Sequence, residues 1–134
     1  MPGCILRVSG TTAKVRKFLA ASSLEPCKVF YRGEPQLLKS RGLCTTSGFN
    51  VRISSTDLDY ALARQCVAAT NFLKKHRQDF ALLQEIGLSG AVLDFGLADL
   101  ATENNPWPSY KLSPKLISLA GEFGLGIELS FYGS

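Results

Sequence analysis

Histidine is almost missing from this chain: His76 is the only one among 134 residues. Every Ser-His-Asp, Cys-His or His-metal scheme would have to pass through it. It sits in Lys74-Lys75-His76-Arg77, and no Gly-x-Ser-x-Gly elbow exists to use it. A solvated helix terminus explains that cluster, since cations complement the negative end of the helix dipole.

Close cysteine pairs are missing as well. Cys4, Cys27, Cys44 and Cys66 lie 17 to 23 residues apart, whereas zinc sites show ligands separated by two to four residues. Reduced thiols, with neither a structural metal nor a cofactor, are the expectation. No Gly-x4-Gly-Lys-Ser/Thr loop occurs, and Gly121, Gly124 and Gly126 fall at a helix end rather than after a strand, which argues against a nucleotide site. Long apolar runs are lacking too, because charged residues interrupt every window of bilayer length, so no transmembrane helix and no membrane partner are expected. The start, Met1-Pro2-Gly3-Cys4-Ile5-Leu6-Arg7, lacks the basic-then-apolar pattern of an export signal, and the expected location is the cytoplasm.

What is present is a full core. Apolar residues make up 46% and charged ones 19%, the balance of a globular domain rather than of a disordered chain. The length suits one domain over residues 1–134. Fifteen basic against eleven acidic residues, a net charge of +4 and a pI near 9.0 tilt the surface only modestly toward polyanions.

Residues 4–9 form a short apolar run bounded by Gly10, suited to an opening strand. Thr11 or Thr12 caps a helix through about Ala21, with Val15, Phe18 and Leu19 inward. Cys27 to Tyr31 reads as a second strand ended by Gly33, followed by a loop to about Thr46. Phe49, Val51 and Ile53 alternate with Asn50, Arg52 and Ser54, the clearest period-two strand in the sequence. Ser55 or Thr56 is the expected cap of a long helix with Asp57 and Asp59 in its first turn. Its apolar stripe is Leu58, Ala61, Leu62, Gln65, Cys66, Ala69, Phe72 and Leu73. A second helical piece, about 78–86, carries Phe80, Leu82, Leu83 and Ile86 and ends at Gly87. Ala91 to Phe95 reads as a buried central strand. Ser113-Pro114 opens a helix through about Glu122 burying Leu116, Ile117 and Ala120, with Gly124 as its cap. Leu125 to Phe131 alternates as a closing strand.

The order is βαββαβαβ, one helix broken in two. The expected fold class is α+β: a single mixed β-sheet with helices packed on one face, ferredoxin-like and extended by a last strand. The other face is open or covered by loops.

Asp94, with Asp99 or Glu103 in the following loop, is the best candidate for paired-carboxylate catalysis, though an outward position or a hydrogen bond explains it equally well. Phe49 on its strand faintly matches the base-stacking strand of RNA-recognition domains, but the second aromatic on that face is absent, and core packing is the better reading. Arg7, Lys28, Arg32, Lys39, Arg41 and Arg52 are candidates for a basic sheet-and-loop surface toward nucleic acid or an acidic protein. Trp107 and Tyr110, in the proline-stiffened Asn104-Asn105-Pro106-Trp107-Pro108-Ser109-Tyr110, are candidate interface anchors; packing at the edge of the core is the competing reading for Trp107.

With these segments placed, the chain resembles the bacterial family catalogued as domain of unknown function 4279. The similar features are Ser9-Gly10, Leu24-Glu25-Pro26, Tyr31-Arg32-Gly33-Glu34, and Phe49-Asn50-Val51-Arg52-Ile53-Ser54 before a long helix. Leu112-Ser113-Pro114-Lys115-Leu116-Ile117 and Gly124-Leu125-Gly126-Ile127-Glu128-Leu129-Ser130-Phe131-Tyr132 complete it. The family pattern often has tryptophans where Tyr31 and Phe49 stand. The resemblance implies an α+β domain of bacterial origin and no catalytic residues. Small bacterial proteins of this kind include immunity proteins that neutralise a toxin by surface complementarity. The leading expectation is therefore a non-catalytic protein-binding domain, such as an immunity protein, with Trp107, Tyr110, Arg32 and Arg52 in its binding surface. A nucleic-acid binder and an enzyme using Asp94 are the alternatives.

Overall fold

The computed structural model describes residues 3–54, 61–97, 103–104 and 106–131, the Lys39 side chain excepted. Alternation in the first segment makes β1 (Gly3–Gly10), which starts one residue earlier and ends one later than its apolar run. Cys4, Leu6 and Val8 point to one side and are buried, while Arg7 points to the other and is exposed. The same division holds in β3 (Ser47–Arg52), where Phe49 and Val51 are buried and Arg52 is exposed. In β4 (Gly90–Leu97), Ala91, Leu93, Phe95 and Leu97 join the core.

These strands, with β2 (Lys28–Phe30) and β5 (Gly126–Phe131), form one mixed sheet in the order β2-β3-β1-β4-β5. β2 pairs with β3, β3 with β1 and β1 with β4, all antiparallel; β5 lies parallel to β4. The expected hairpin of the second and third strands is thus present, although β2 is only three residues long. β4 is an interior strand, and β1 occupies the middle of the sheet.

The described α-helices are α1 (Thr12–Ala21), α2 (Leu62–Lys75), α3 (Arg77–Ile86) and α4 (Pro114–Glu122). Thr11 caps α1, its hydroxyl accepting from the Lys14 N–H at 3.3 Å. Val15 and Phe18 are the buried stripe of α1, and Phe18 stacks on Phe49 with ring centroids 5.2 Å apart. α2 buries Leu62, Gln65, Cys66, Ala69 and Leu73, close to the expected stripe. Ala61 departs from it, standing exposed at the helix start. The caps expected at Ser55 or Thr56, with Asp57, Leu58 and Asp59, lie outside the described residues. At Gly87 the chain turns with φ 85°, the left-handed conformation that ends α3.

α4 corrects one expectation. Ser113 caps it, its Oγ accepting from the Leu116 N–H at 3.2 Å, and Pro114 opens it. The buried residues, however, are Leu116, Leu119 and Ala120, while Ile117 is exposed. Leu119 and Ala120 lie three and four residues after Leu116 on one helical stripe, and Ile117, one residue on, is turned away from it. Phe123 then caps the helix, and Gly124 follows with φ 69°.

Candidate functional site

The segment between β2 and β3, expected as a plain loop, is a small hydrogen-bonded hairpin. Tyr31-Arg32-Gly33-Glu34 closes on itself: the Glu34 N–H donates to the Tyr31 carbonyl at 3.0 Å, and Glu34 Oε1 accepts from the Tyr31 N–H at 2.6 Å. Gly33 turns with φ 91°, where a side chain would be strained. Beyond it, the Gly33 N–H donates to the Cys44 carbonyl at 2.9 Å and the Cys44 N–H to the Glu34 carbonyl at 2.7 Å. The bridge between Pro35 and Leu43 and the bond from the Gln36 N–H to the Gly42 carbonyl at 3.1 Å carry the pairing to the tip. Gln36 Nε2 adds a bond to the Arg41 carbonyl at 3.2 Å.

This pairing leaves the apolar side chains of the tip nothing to pack on. Leu37 is 92% exposed, Leu38 55% and Leu43 59%. With Val29 and Phe30 of β2, Leu37 and Leu38 line a groove of about 600 Å³, rimmed by Lys28, Glu34 and Arg41. The leucines thus form an exposed apolar patch beside an edge strand. In the sequence Leu37 and Leu38 adjoin in a segment bounded by Pro35 and Gly42, but nothing in that pattern separates them from core residues.

Of the residues expected to bind, Arg32 is exposed at the base of this hairpin, its N–H donating to Ser47 Oγ at 2.9 Å. Arg52 is exposed at the opposite end of β3, about 17 Å along a strand that rises about 3.4 Å per residue. Trp107 is 86% exposed, so it does not plug the core edge. Tyr110 is half-buried, its ring 5.7 Å from that of Phe131 on β5. β5 and β2 are the two edges of the sheet, four strand spacings or about 19 Å apart. Arg32 and Tyr110 therefore belong to different edges, and Arg52 to neither.

The sheet face that carries Arg7 also holds a charge cluster. Arg7 lies 3.3 Å from Asp94 Oδ2 and is also paired with Glu128. Ser130 Oγ donates to Asp94 Oδ1 at 2.6 Å, so both oxygens of the Asp94 carboxylate are engaged. Asp99, one proposed partner of Asp94, lies outside the described residues, and Glu103 is exposed. Phe49, the residue considered for base stacking, is fully buried on the opposite face.

His76 is not a solvated terminus. Its side chain is 19% exposed, its ring lies 4.5 Å from that of Phe72, and Nδ1 sits 3.1 Å from Asp79 Oδ2. Asp79 in turn accepts from the Ser23 N–H at 3.0 Å and from Ser23 Oγ at 2.5 Å. The carboxylate thus stands between the hydroxyl and the imidazole, the reverse of the order in which histidine would take a serine proton. Burial works against the charged form of Asp79, and the bonds from Ser23 and His76 overcome it, holding the carboxyl below its ordinary range.

Among the described residues no group of three or more His, Cys, Asp or Glu side chains could hold a metal ion, and no helix is long and apolar enough to cross a membrane. The four cysteines are free, Cys4 and Cys66 buried and Cys27 exposed. Comparison of the chain with protein-family models, with curated proteins and with solved structures finds no match.

Proposed function

We propose that this chain is a non-catalytic protein-binding domain whose principal contact surface is the hairpin ledge of residues 33–44. The exposure of Leu37, Leu38 and Leu43 on a backbone-paired scaffold carries the reading. A ledge held by its own hydrogen bonds loses little conformational freedom when a partner covers it, which keeps the entropy cost of association low. Lys28 and Arg41 on the rim of the groove favour a partner with acidic groups around an apolar centre, and Arg32 at the hairpin base adds to them. Trp107 offers a second apolar anchor at a distance.

The finer assignments are part of the same proposal. The run β2-β3-β1-β4 with alternating direction supports a ferredoxin-like core to which β5 is added. The α+β element order is compatible with the resemblance to the domain of unknown function 4279 family, and occlusion of a toxin is a role that a binding ledge without chemistry would serve. Free cysteines suit a cytoplasmic protein.

The test is capture of binding proteins from the source cell by the full chain and by a Leu37→Asp/Leu38→Asp variant of unchanged melting temperature. A partner retained by the wild type and lost by the variant is the expected result. A partner held equally well by both, or retention of the wild type on a polyanion column that collapses with moderate salt while no protein is captured, would defeat the reading.

A further inference from the structure

A second concave surface lies away from the hairpin, between α2 and the segment that leads into α4. Ser113 and Pro114 fix this segment by starting α4, and the Cys66 side of α2 packs beside Ser113. The result is a groove of about 620 Å³ whose wall is formed by Cys66, Val67, Leu112 and Pro114, with Lys111 and Lys115 also lining it. Its extent along α2, from Ala63 to Asn71, is about 12 Å at about 1.5 Å per residue. That volume is in the range of small-molecule sites.

The chemistry of the wall has two parts. Val67 is 61% exposed, an apolar side chain left open on a helix whose other face is the core. Cys66 is 4% exposed, and burial raises its thiol above the ordinary range, opposed by a backbone bond with Ser113, so it contributes a neutral, polarisable atom to the floor. The cations are uncompensated: among the described residues no carboxylate pairs with Lys74, Lys111 or Lys115. Lys74 and Lys115 stand close together and their like charges repel, which holds the Lys74 amine below its usual value. An apolar trough with an unneutralised cluster of ammonium groups complements a molecule with an apolar tail and an anionic head.

We propose that the groove between α2 and α4 binds a small amphiphile of the fatty-acid class, its tail along Val67 and Leu112 and its carboxylate drawn to Lys111 and Lys115. The site is independent of the hairpin ledge, and its failure would leave the protein-binding reading untouched.

The test titrates the isotope-labelled full chain with decanoate, decanol and decyltrimethylammonium, each below its micelle concentration, and follows amide shifts. Decanoate should give saturable shifts confined to residues 63–71 and 111–115, decanol the same shifts with about tenfold weaker affinity, and the ammonium compound none. Lys111→Gln/Lys115→Gln should weaken decanoate about tenfold and leave decanol unchanged. Val67→Asp, at an exposed position that the fold tolerates, should abolish binding of both. Absence of saturable shifts, shifts centred elsewhere, equal affinity for decanoate and decanol, or a lysine variant that binds decanoate as well as the wild type would each overturn the proposal.

Discussion

Arg7 of β1 reaches diagonally across the open face of the sheet to Asp94 of β4, with 3.3 Å between Nη2 and Oδ2. Its register neighbour on β4 is Val92, whereas Asp94 is aligned with Ile5 on one side and Glu128 on the other. Two carboxylates on adjacent strands would repel, and Arg7 is the cation that lets them share a face.

Replacing Arg7 by Leu should therefore destabilise the fold by about 1 kcal/mol, the modest figure for a partly exposed cluster. The paired change Arg7→Leu/Glu128→Gln should recover most of it, because the repulsion is removed along with the cation. Urea denaturation of the three proteins reads this directly. A double variant no more stable than the single one would show that Arg7 acts through packing instead.

Asp79 ties the turn after α1 to the first turn of α3. Asp79→Asn should cost about 1–3 kcal/mol at neutral pH, since one of the two oxygens that accept from Ser23, and the charge that faces His76, are lost in a buried setting. Its folded pKa is depressed, so the wild-type advantage is present above the ordinary carboxylate range and fades as pH falls through the lowered value. Thermal melts of both proteins from neutral to acid pH should converge at the acid end.

Trp107 and Tyr110 should separate cleanly. Trp107→Ala changes a residue that is 86% exposed and should leave stability within about 0.5 kcal/mol of the wild type. Tyr110→Ala strips a ring packed against Phe131 and should cost about 1–2 kcal/mol. Equal losses in chemical denaturation would place Trp107 in the packed structure after all.

Gly48 is where β3 passes closest to its neighbours. A Cβ there would run into the Val8 carbonyl oxygen and come within 2.7 Å of the Phe30 ring. Gly48→Ala should cost at least about 2 kcal/mol, because backbone on one side cannot yield. Gly121→Ala, where a Cβ would meet nothing within 4 Å, is the matched control and should be neutral or stabilising inside α4.

Thiol chemistry gives a readout of burial. In the folded protein an alkylating reagent should modify exposed Cys27 first. Cys4 should react only on unfolding, since burial, with the nearby Asp94 charge and Cys66 adding to it, raises its thiol far above the ordinary range. Mass spectrometry of partly labelled protein, digested after quenching, checks the order.

Much of this architecture could be read locally. The alternation through Phe49 and Val51 specified a strand and its buried face, and Ser113-Pro114 specified a helix start, because cap and strand periodicity depend on a few adjacent residues. The exposed leucines of the hairpin were harder to see. Leu37, Leu38 and Leu43 resemble core residues by type, and only the backbone pairing of Pro35 with Leu43 shows that they have no core to join. Ile117 and Leu119 could not be ranked by type either, since the facing of α4 against the sheet decides which is buried.

The order of strands and helices, the caps at Thr11 and Ser113, and the shortage of histidine and of close cysteine pairs were set by the amino-acid sequence alone, since each follows from short-range sterics, periodicity and composition. The union of Arg7, Asp94 and Glu128, the insertion of Asp79 between Ser23 and His76, and the opening of a groove beside Cys66 were decided only by tertiary structure. Apart from His76 and Asp79, the partners lie tens of residues apart in the chain, and sheet register and helix packing bring them within reach.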